Sequence, residues 1–207
     1  MMQHKELSHP LSSEDIQAAL EGCQAILKGH FKLTSGLHSD TYIQCSRVLE
    51  KPWLTNKLAA EAVARLPKEH EVDLVAAPAV GGIIFGFAVA SALNKDFVFS
   101  ERTAGIMEFR RSFVVPEGAK VLVCEDVVTT GGSVCELIEL VKAANAKVEA
   151  VVAMVDRGKQ PDFGCAYHPL LTIETPSWPP EDCAMCLSNL EITTPGSREL
   201  AKSTAKS

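Results

Sequence analysis

The residues with the clearest chemical potential lie together in Glu125-Asp126-Val127-Val128-Thr129-Thr130-Gly131-Gly132-Ser133. Two adjacent carboxylates precede a turn of small residues that carries the hydroxyls of Thr129, Thr130 and Ser133. Glycine permits positive φ and close backbone approach. A Gly-rich turn that opens a helix aims several unpaired N–H groups at one anion, and hydroxyl side chains add donors. Such a turn suits a phosphate. The carboxylates would repel a bare phosphate, but they suit sugar hydroxyls or a Mg²⁺ ion. A phosphorylated ribose satisfies both halves. The bland alternative, a plain strand-to-helix turn with Thr and Ser as caps, would account for a Gly-Gly pair standing alone. The P-loop pattern GxxxxGK[ST] is absent.

The elements that must position this stretch can be read around it. Residues 121–124 form a short apolar run, the length of a buried parallel strand. Val134, Leu137, Ile138 and Val141 follow at helical spacing. The same succession occurs earlier. A strand over 72–76 runs into Ala77-Pro78-Ala79-Val80-Gly81-Gly82, and a helix over 83–93 follows, apolar all round and therefore expected to be buried. Further strands are predicted over 97–100, 148–155 and 170–174. Near the start, Ser12 and Ser13 before Glu14 and Asp15 open a helix whose apolar face is Ile16, Leu20, Cys23 and Leu27, with Gly29 as its end. Pro52 opens another, with Thr55 as cap, Leu58, Ala62 and Leu66 buried, and Pro67 as stop. Strand–helix alternation over 72–155 predicts an α/β fold with a mostly parallel sheet flanked by helices.

The 125–133 string resembles the phosphoribosyl-pyrophosphate (PRPP) loop of type I phosphoribosyltransferases. Other segments narrow the resemblance to orotate phosphoribosyltransferases, from about residue 29 to about 196. Leu33-Thr34-Ser35-Gly36 followed by Ser39-Asp40-Thr41-Tyr42 resembles their N-terminal substrate segment, and residues 77–82 resemble their pyrophosphate loop. The resemblance implies a type I phosphoribosyltransferase fold in one domain over 1–198. Its core would span about 52–160 and its small hood about 29–50 and 165–198, with 199–207 a disordered tail. It implies transfer of phosphoribose from PRPP to orotate, with Mg²⁺ held mainly by PRPP itself, in a homodimer with shared active sites. Residue by residue, Glu125 and Asp126 fall on the ribose hydroxyls, and with Arg102 they form the catalytic set. PRPP contacts fall on Val127, Val128, Thr129, Thr130, Gly131, Gly132, Ser133, Val80, Gly81 and Arg102. Orotate contacts fall on Thr129, Arg157 and Tyr42. The chain departs from the pattern where many relatives carry Lys, at Thr34 and at Gly81.

Residues 101–113 stand where the family has a flexible loop that closes over PRPP. From Arg102 to Arg111 there are three Arg against one Glu, a local concentration of cations for an anionic substrate. An exposed charged hairpin ahead of the Pro116-Glu117-Gly118 turn is the less favoured alternative. The loop Lys and His of other members are missing, and Arg110 or Arg111 would have to substitute. Arg157 follows the 148–155 strand, and a guanidinium at the C-terminal end of a parallel strand suits a ligand carboxylate. Its bland alternative is an exposed Arg-Gly turn.

The tail from Pro169 to Gly196 holds five of the eleven prolines and is expected to form an irregular cover. Within it, Cys183 and Cys186 form a CxxC, half of a zinc site, with Cys165 or a second subunit as the source of further ligands. Buried or free thiols are the favoured reading of the pair. The six His are scattered without ligand spacing, and His38 is expected at a surface turn.

At 207 residues and 46% hydrophobic content the chain suits one domain with a real core. Its net charge of −6 argues against nucleic-acid binding, including a transcript-binding regulator on the same fold. A purine-specific relative would not need Arg157. The polar start lacks a secretory h-region, no apolar stretch reaches membrane-spanning length, and an odd seven cysteines fit a reducing cytoplasm.

Overall fold

The computed structural model of the protein describes residues 10–33, 35–158 and 161–194. Thr34 and the Pro195-Gly196-Ser197-Arg198 tail lie outside them. A capping box opens α1 (Ser13–Gly22): Ser12 Oγ accepts the Asp15 amide at 3.1 Å, and Asp15 Oδ2 accepts the Ser12 amide at 3.0 Å. The helix stops earlier than its apolar spacing predicts. Gln24 takes a left-handed φ of 60°, its amide bonds Glu21 O, and the Ala25 amide bonds Leu20 O. This is a Schellman closure made without glycine. Gly29 is therefore not a helix end but lies within β1 (Ile26–Lys32), which pairs antiparallel with β2 (His38–Ile43). After α2 (Ser46–Leu49), Pro52 opens α3 (Pro52–Arg65) as expected. Thr55 is not its cap; it lies inside the helix and donates its hydroxyl to Val48 O at 3.1 Å.

The main sheet then forms from β3 (Leu74–Pro78), α4 (Gly81–Leu93), β4 (Asp96–Thr103), β5 (Ile106–Phe109), β6 (Lys120–Val128), α5 (Gly132–Ala143), β7 (Lys147–Asp156) and β8 (Ala166–Thr172). Strand order is β5-β4-β3-β6-β7-β8, all pairs parallel except β4–β5. The central strands are apolar because both faces are covered. Along β6 the side chains alternate. Val121 and Val123 pack with Val134, Leu137 and Val141 of α5, whereas Leu122 and Cys124 pack with Leu58, Phe85 and Val89 of α3 and α4.

Residues from about 165 were expected in the hood, but β8 has the apolar face and register to extend the main sheet. The hood's C-terminal part begins with β9 (Ser177–Trp178), which pairs with β2 to complete a three-stranded antiparallel sheet. A 3₁₀ turn (Pro180–Asp182) and the single-turn α6 (Ala184–Leu187) follow, and Thr193 bridges back to Phe31. The expectation that the 83–93 helix is buried all round fails. α4 buries Phe85, Ala88 and Val89 against the core, but Ile84 and Phe87 remain 47% and 64% exposed, uncovered within one chain. Among the described residues no helix is long and apolar enough to cross a membrane.

The chain runs outward from β3 to β4 and then returns past β3 to β6. Order reverses between β3 and β6, and open α/β sheets bind ligands at the C-terminal strand ends of such a point. Both Gly-rich turns emerge there.

Candidate functional site

The turn after β6 is shaped for an anion. Gly131 is the N-cap of α5 with φ 82°, and a Cβ there would lie 2.9 Å from both Phe163 Cε1 and Pro161 Cγ. Left-handed backbone and close approach both demand glycine. No side chain caps α5, whereas α1 is capped by Ser12 and Asp15. The first-turn amides of α5 are thus left to other partners. They border a cleft of about 200 Å³ whose lining includes Glu125, residues 127–133, Arg102 and Glu136.

Of the acid pair, Glu125 lines this cleft and Asp126 does not. Glu125 is buried and accepts the Asp126 amide on Oε1 at 3.1 Å. Both carboxylates press against the second Gly-rich turn. A Cβ at Gly81 would meet Asp126 Oδ2 at 2.3 Å, and one at Gly82 would meet Glu125 Oε1 at 3.0 Å. A side chain at 81 would displace the Asp126 carboxylate from this position. Val80 is exposed, the Ala79–Val80 peptide is cis, and neither Val80 nor Gly81 lines the phosphate cleft. Burial raises the Glu125 carboxyl to about 9, with the Asp126 charge adding to the rise, and burial also raises Asp126.

The 101–113 segment is a hairpin in this structure, with Arg102 opposite Met107 and a turn in which Ala104 and Gly105 both have positive φ. Of its three arginines, Arg102 alone lines the cleft. Its guanidinium bonds Glu136 at 2.5 and 2.8 Å, an exposed pair that a phosphate can exchange. Arg110 pairs with Glu108, and Arg111 pairs with Glu101 over the Phe99 ring.

A second cleft of about 520 Å³ adjoins the first and shares Val127, Thr129 and Thr130 with it. Tyr42 and Arg157 line it, together with Leu33, Leu37 and Ser177 of the hood. Arg157 is half-buried. Its amide bonds Val128 O at 3.0 Å and its Nε donates to Thr175 Oγ1 at 2.9 Å. Burial lowers its pKa, only Tyr42 acts in the opposite sense, and among the described residues it has no acidic partner. The turn that presents it is anchored by fully buried Asp156, which accepts from the Gly158 amide at 2.6 Å and from the Tyr167 hydroxyl at 2.7 Å. Burial and this bond to Asp156 raise the Tyr167 pKa. Nothing in the local sequence marks Asp156, Tyr167, Thr175 or Glu136, since each matters only through a distant partner.

Cys183 and Cys186 do not meet Cys165, which packs on the α5 side of the sheet. They converge instead with His30 and His38, and His38 is buried rather than at a surface turn.

Comparison with known proteins agrees with this geometry. The family model described as "Phosphoribosyl transferase domain" matches residues 53–167. The chain is 45% identical over 190 residues to an orotate phosphoribosyltransferase of Heliobacterium modesticaldum, covering 91% of this chain and 100% of the relative. It is 44% identical over 186 residues to that of Thermotoga maritima, covering 89% and 99%. The crystal structure of orotate phosphoribosyltransferase from Aeropyrum pernix superposes with a TM-score of 0.67 at 24% identity, covering 77% of this chain and 94% of that one, a likeness of fold.

Proposed function

The chain belongs to the orotate phosphoribosyltransferase family, and on that premise we propose how its two clefts divide the reaction. The protein transfers the 5-phosphoribosyl group of PRPP to orotate, giving orotidine 5′-monophosphate and pyrophosphate in de novo pyrimidine synthesis. The 129–133 turn takes the 5′-phosphate on its amides and hydroxyls. Glu125 and Asp126 accept from the ribose hydroxyls. The 79–82 turn, held against both acids, offers backbone groups to the pyrophosphate, and Arg102 exchanges Glu136 for it. Orotate occupies the larger cleft, with its carboxylate on Arg157 and its ring beside Tyr42 and Thr129.

The bond from C1 to the pyrophosphate oxygen breaks, and its electron pair leaves with pyrophosphate. A lone pair on the orotate ring nitrogen forms the new bond to C1. Positive charge grows on the ribose between these events, near the two acids. No covalent enzyme intermediate is needed, so the protein acts by positioning and charge compensation. Among the described residues the clefts bring together no set of three metal-ligating side chains. In this reading Mg²⁺ would be carried on the substrate's own oxygens, where it would help neutralise the leaving group. The uncovered Ile84 and Phe87 of α4 support a homodimer, and the free cysteines fit a cytoplasmic enzyme.

The observation that carries this reading is Arg157, a half-buried guanidinium with no acidic partner among the described residues, lining a cleft that shares the 129–130 turn. A purine has no carboxylate to pair with it. With PRPP and Mg²⁺, pyrophosphate release is expected with orotate and not with adenine or hypoxanthine. Release with a purine and none with orotate overturns the assignment.

A further inference from the structure

We propose that His30, His38, Cys183 and Cys186 form a structural zinc site that staples the hood. The four ligand atoms all lie within 4.8 Å of one another. His30 Nε2 is 3.0 Å from His38 Nδ1, 3.5 Å from Cys183 Sγ and 3.6 Å from Cys186 Sγ, and Cys186 Sγ is 3.2 Å from His38 Nδ1. Tetrahedral zinc, with bonds of about 2.0–2.1 Å to nitrogen and about 2.3 Å to sulfur, sets its ligands roughly 3.3 Å apart for two nitrogens and roughly 3.6 Å for nitrogen and sulfur. The four edges that meet at His30 Nε2 or join Cys186 Sγ to His38 Nδ1, 3.0–3.6 Å, lie close to these values, and the remaining two are within 4.8 Å.

Its hydrogen bonding points the same way. His30 Nδ1 lies 2.9 Å from Leu190 O. A carbonyl only accepts, so Nδ1 carries the proton and Nε2 presents its lone pair to the cluster, as a backbone carbonyl orients a metal-bound imidazole. Three groups then converge on that single lone pair, which can accept one hydrogen bond well. A cation at the centre satisfies all four ligands together. His30, His38 and Cys183 are buried and Cys186 partly so. Four protein ligands without an open position mark a structural rather than a catalytic centre, and two thiolates with two imidazoles select zinc over magnesium.

The ligands come from β1, from β2 and from the turn at α6, so the ion ties three segments together. Lys32 and Leu33 follow His30 closely, Leu37 precedes His38, and Tyr42 is on the same strand as His38; all four line the larger cleft. The phosphate turn has no such tie. Zinc therefore holds the orotate wall of the site.

The test is metal analysis of the full chain, purified under reducing conditions and dialysed against metal-free buffer. About one zinc per chain is expected. Cys165→Ser should keep it, and the Cys183→Ser/Cys186→Ser double variant should lose it. Cobalt added to stripped protein should give the intense visible absorption of a tetrahedral thiolate site. Stripped protein, assayed with Mg²⁺ restored, should show an orotate KM raised about ten-fold and a PRPP KM changed less than two-fold. Less than a tenth of an equivalent after incubation with zinc, a Cys183–Cys186 disulfide in the reduced preparation, or full zinc in the double variant each overturns the site. Equal shifts in both KM values overturn the stapling role. Should the double variant not fold, the metal count and cobalt spectrum of the unaltered chain decide. Neither reads transfer activity, so they stand or fall apart from the orotate assignment.

Discussion

The phosphate turn and the hood build binding surface in opposite ways. The turn is one unbroken stretch, residues 125–133, carried from the end of β6 into α5. Its amides border the cleft because helix geometry leaves the first-turn N–H groups without backbone partners. The hood wall is assembled from the β1–β2 hairpin and from the segment around β9 and α6, which lies more than a hundred residues further along the chain. The turn is held by the parallel sheet beneath it, the hood by a small antiparallel ladder and side-chain contacts between its pieces. A surface of the first kind resists loss of any one distant contact, whereas one of the second kind depends on them.

Substitutions should therefore separate by substrate. The largest effect is expected at Asp126, beside the charge that grows on the ribose. Asp126→Ala should lower kcat/KM for PRPP about 100- to 1,000-fold, and a loss below ten-fold in steady-state kinetics would remove it from the site. On the hood side, Arg157→Ala should raise the orotate KM roughly ten- to a hundred-fold and leave the PRPP KM nearly unchanged. Matching shifts in both constants would erase the distinction between the two regions.

Gly131→Ala sharpens the comparison from the turn's side. It combines a left-handed φ with Cβ contacts at 2.9 Å, and should destabilise the fold by about 1–3 kcal/mol while raising the PRPP KM several-fold. Denaturant unfolding checks the first part. A variant as stable as the parent would mean that Phe163 and Pro161 give way freely.

The smallest effect is a pH slope. The Glu125 carboxyl is raised in the folded chain to about 9 from an ordinary 4.5. The folded state thus holds a proton that the unfolded chain has released. Its contribution to stability is fully present below pH 4.5 and is lost as pH rises toward about 9. Thermal unfolding of the ligand-free protein should show this decline, and Glu125→Gln should flatten it. An unchanged slope in the variant would assign the decline to other groups.

Much of the core was legible in advance. Apolar runs between turns announced β3, β6 and β7, and the α1 start was visible in Ser12 and Asp15. The α1 end was not, because Gln24 adopts a conformation usually left to Gly or Asn. The exposed face of α4 was hidden by composition, since an apolar residue on an exposed face reads the same in sequence as one in a core. His30 and His38 seemed scattered because their eight-residue spacing has meaning only once a hairpin folds it and α6 arrives.

By itself the sequence determined the Gly-rich turn after β6, the acid pair before it and the α/β alternation that carries them, because each rests on interactions between residues a few positions apart. Only the tertiary structure decided which arginine faces which cleft, why residue 81 lacks a side chain, and where the two cysteines find their histidines. Those depend on contacts between segments far apart in the chain, and local spacing carries no record of which distant segment will arrive.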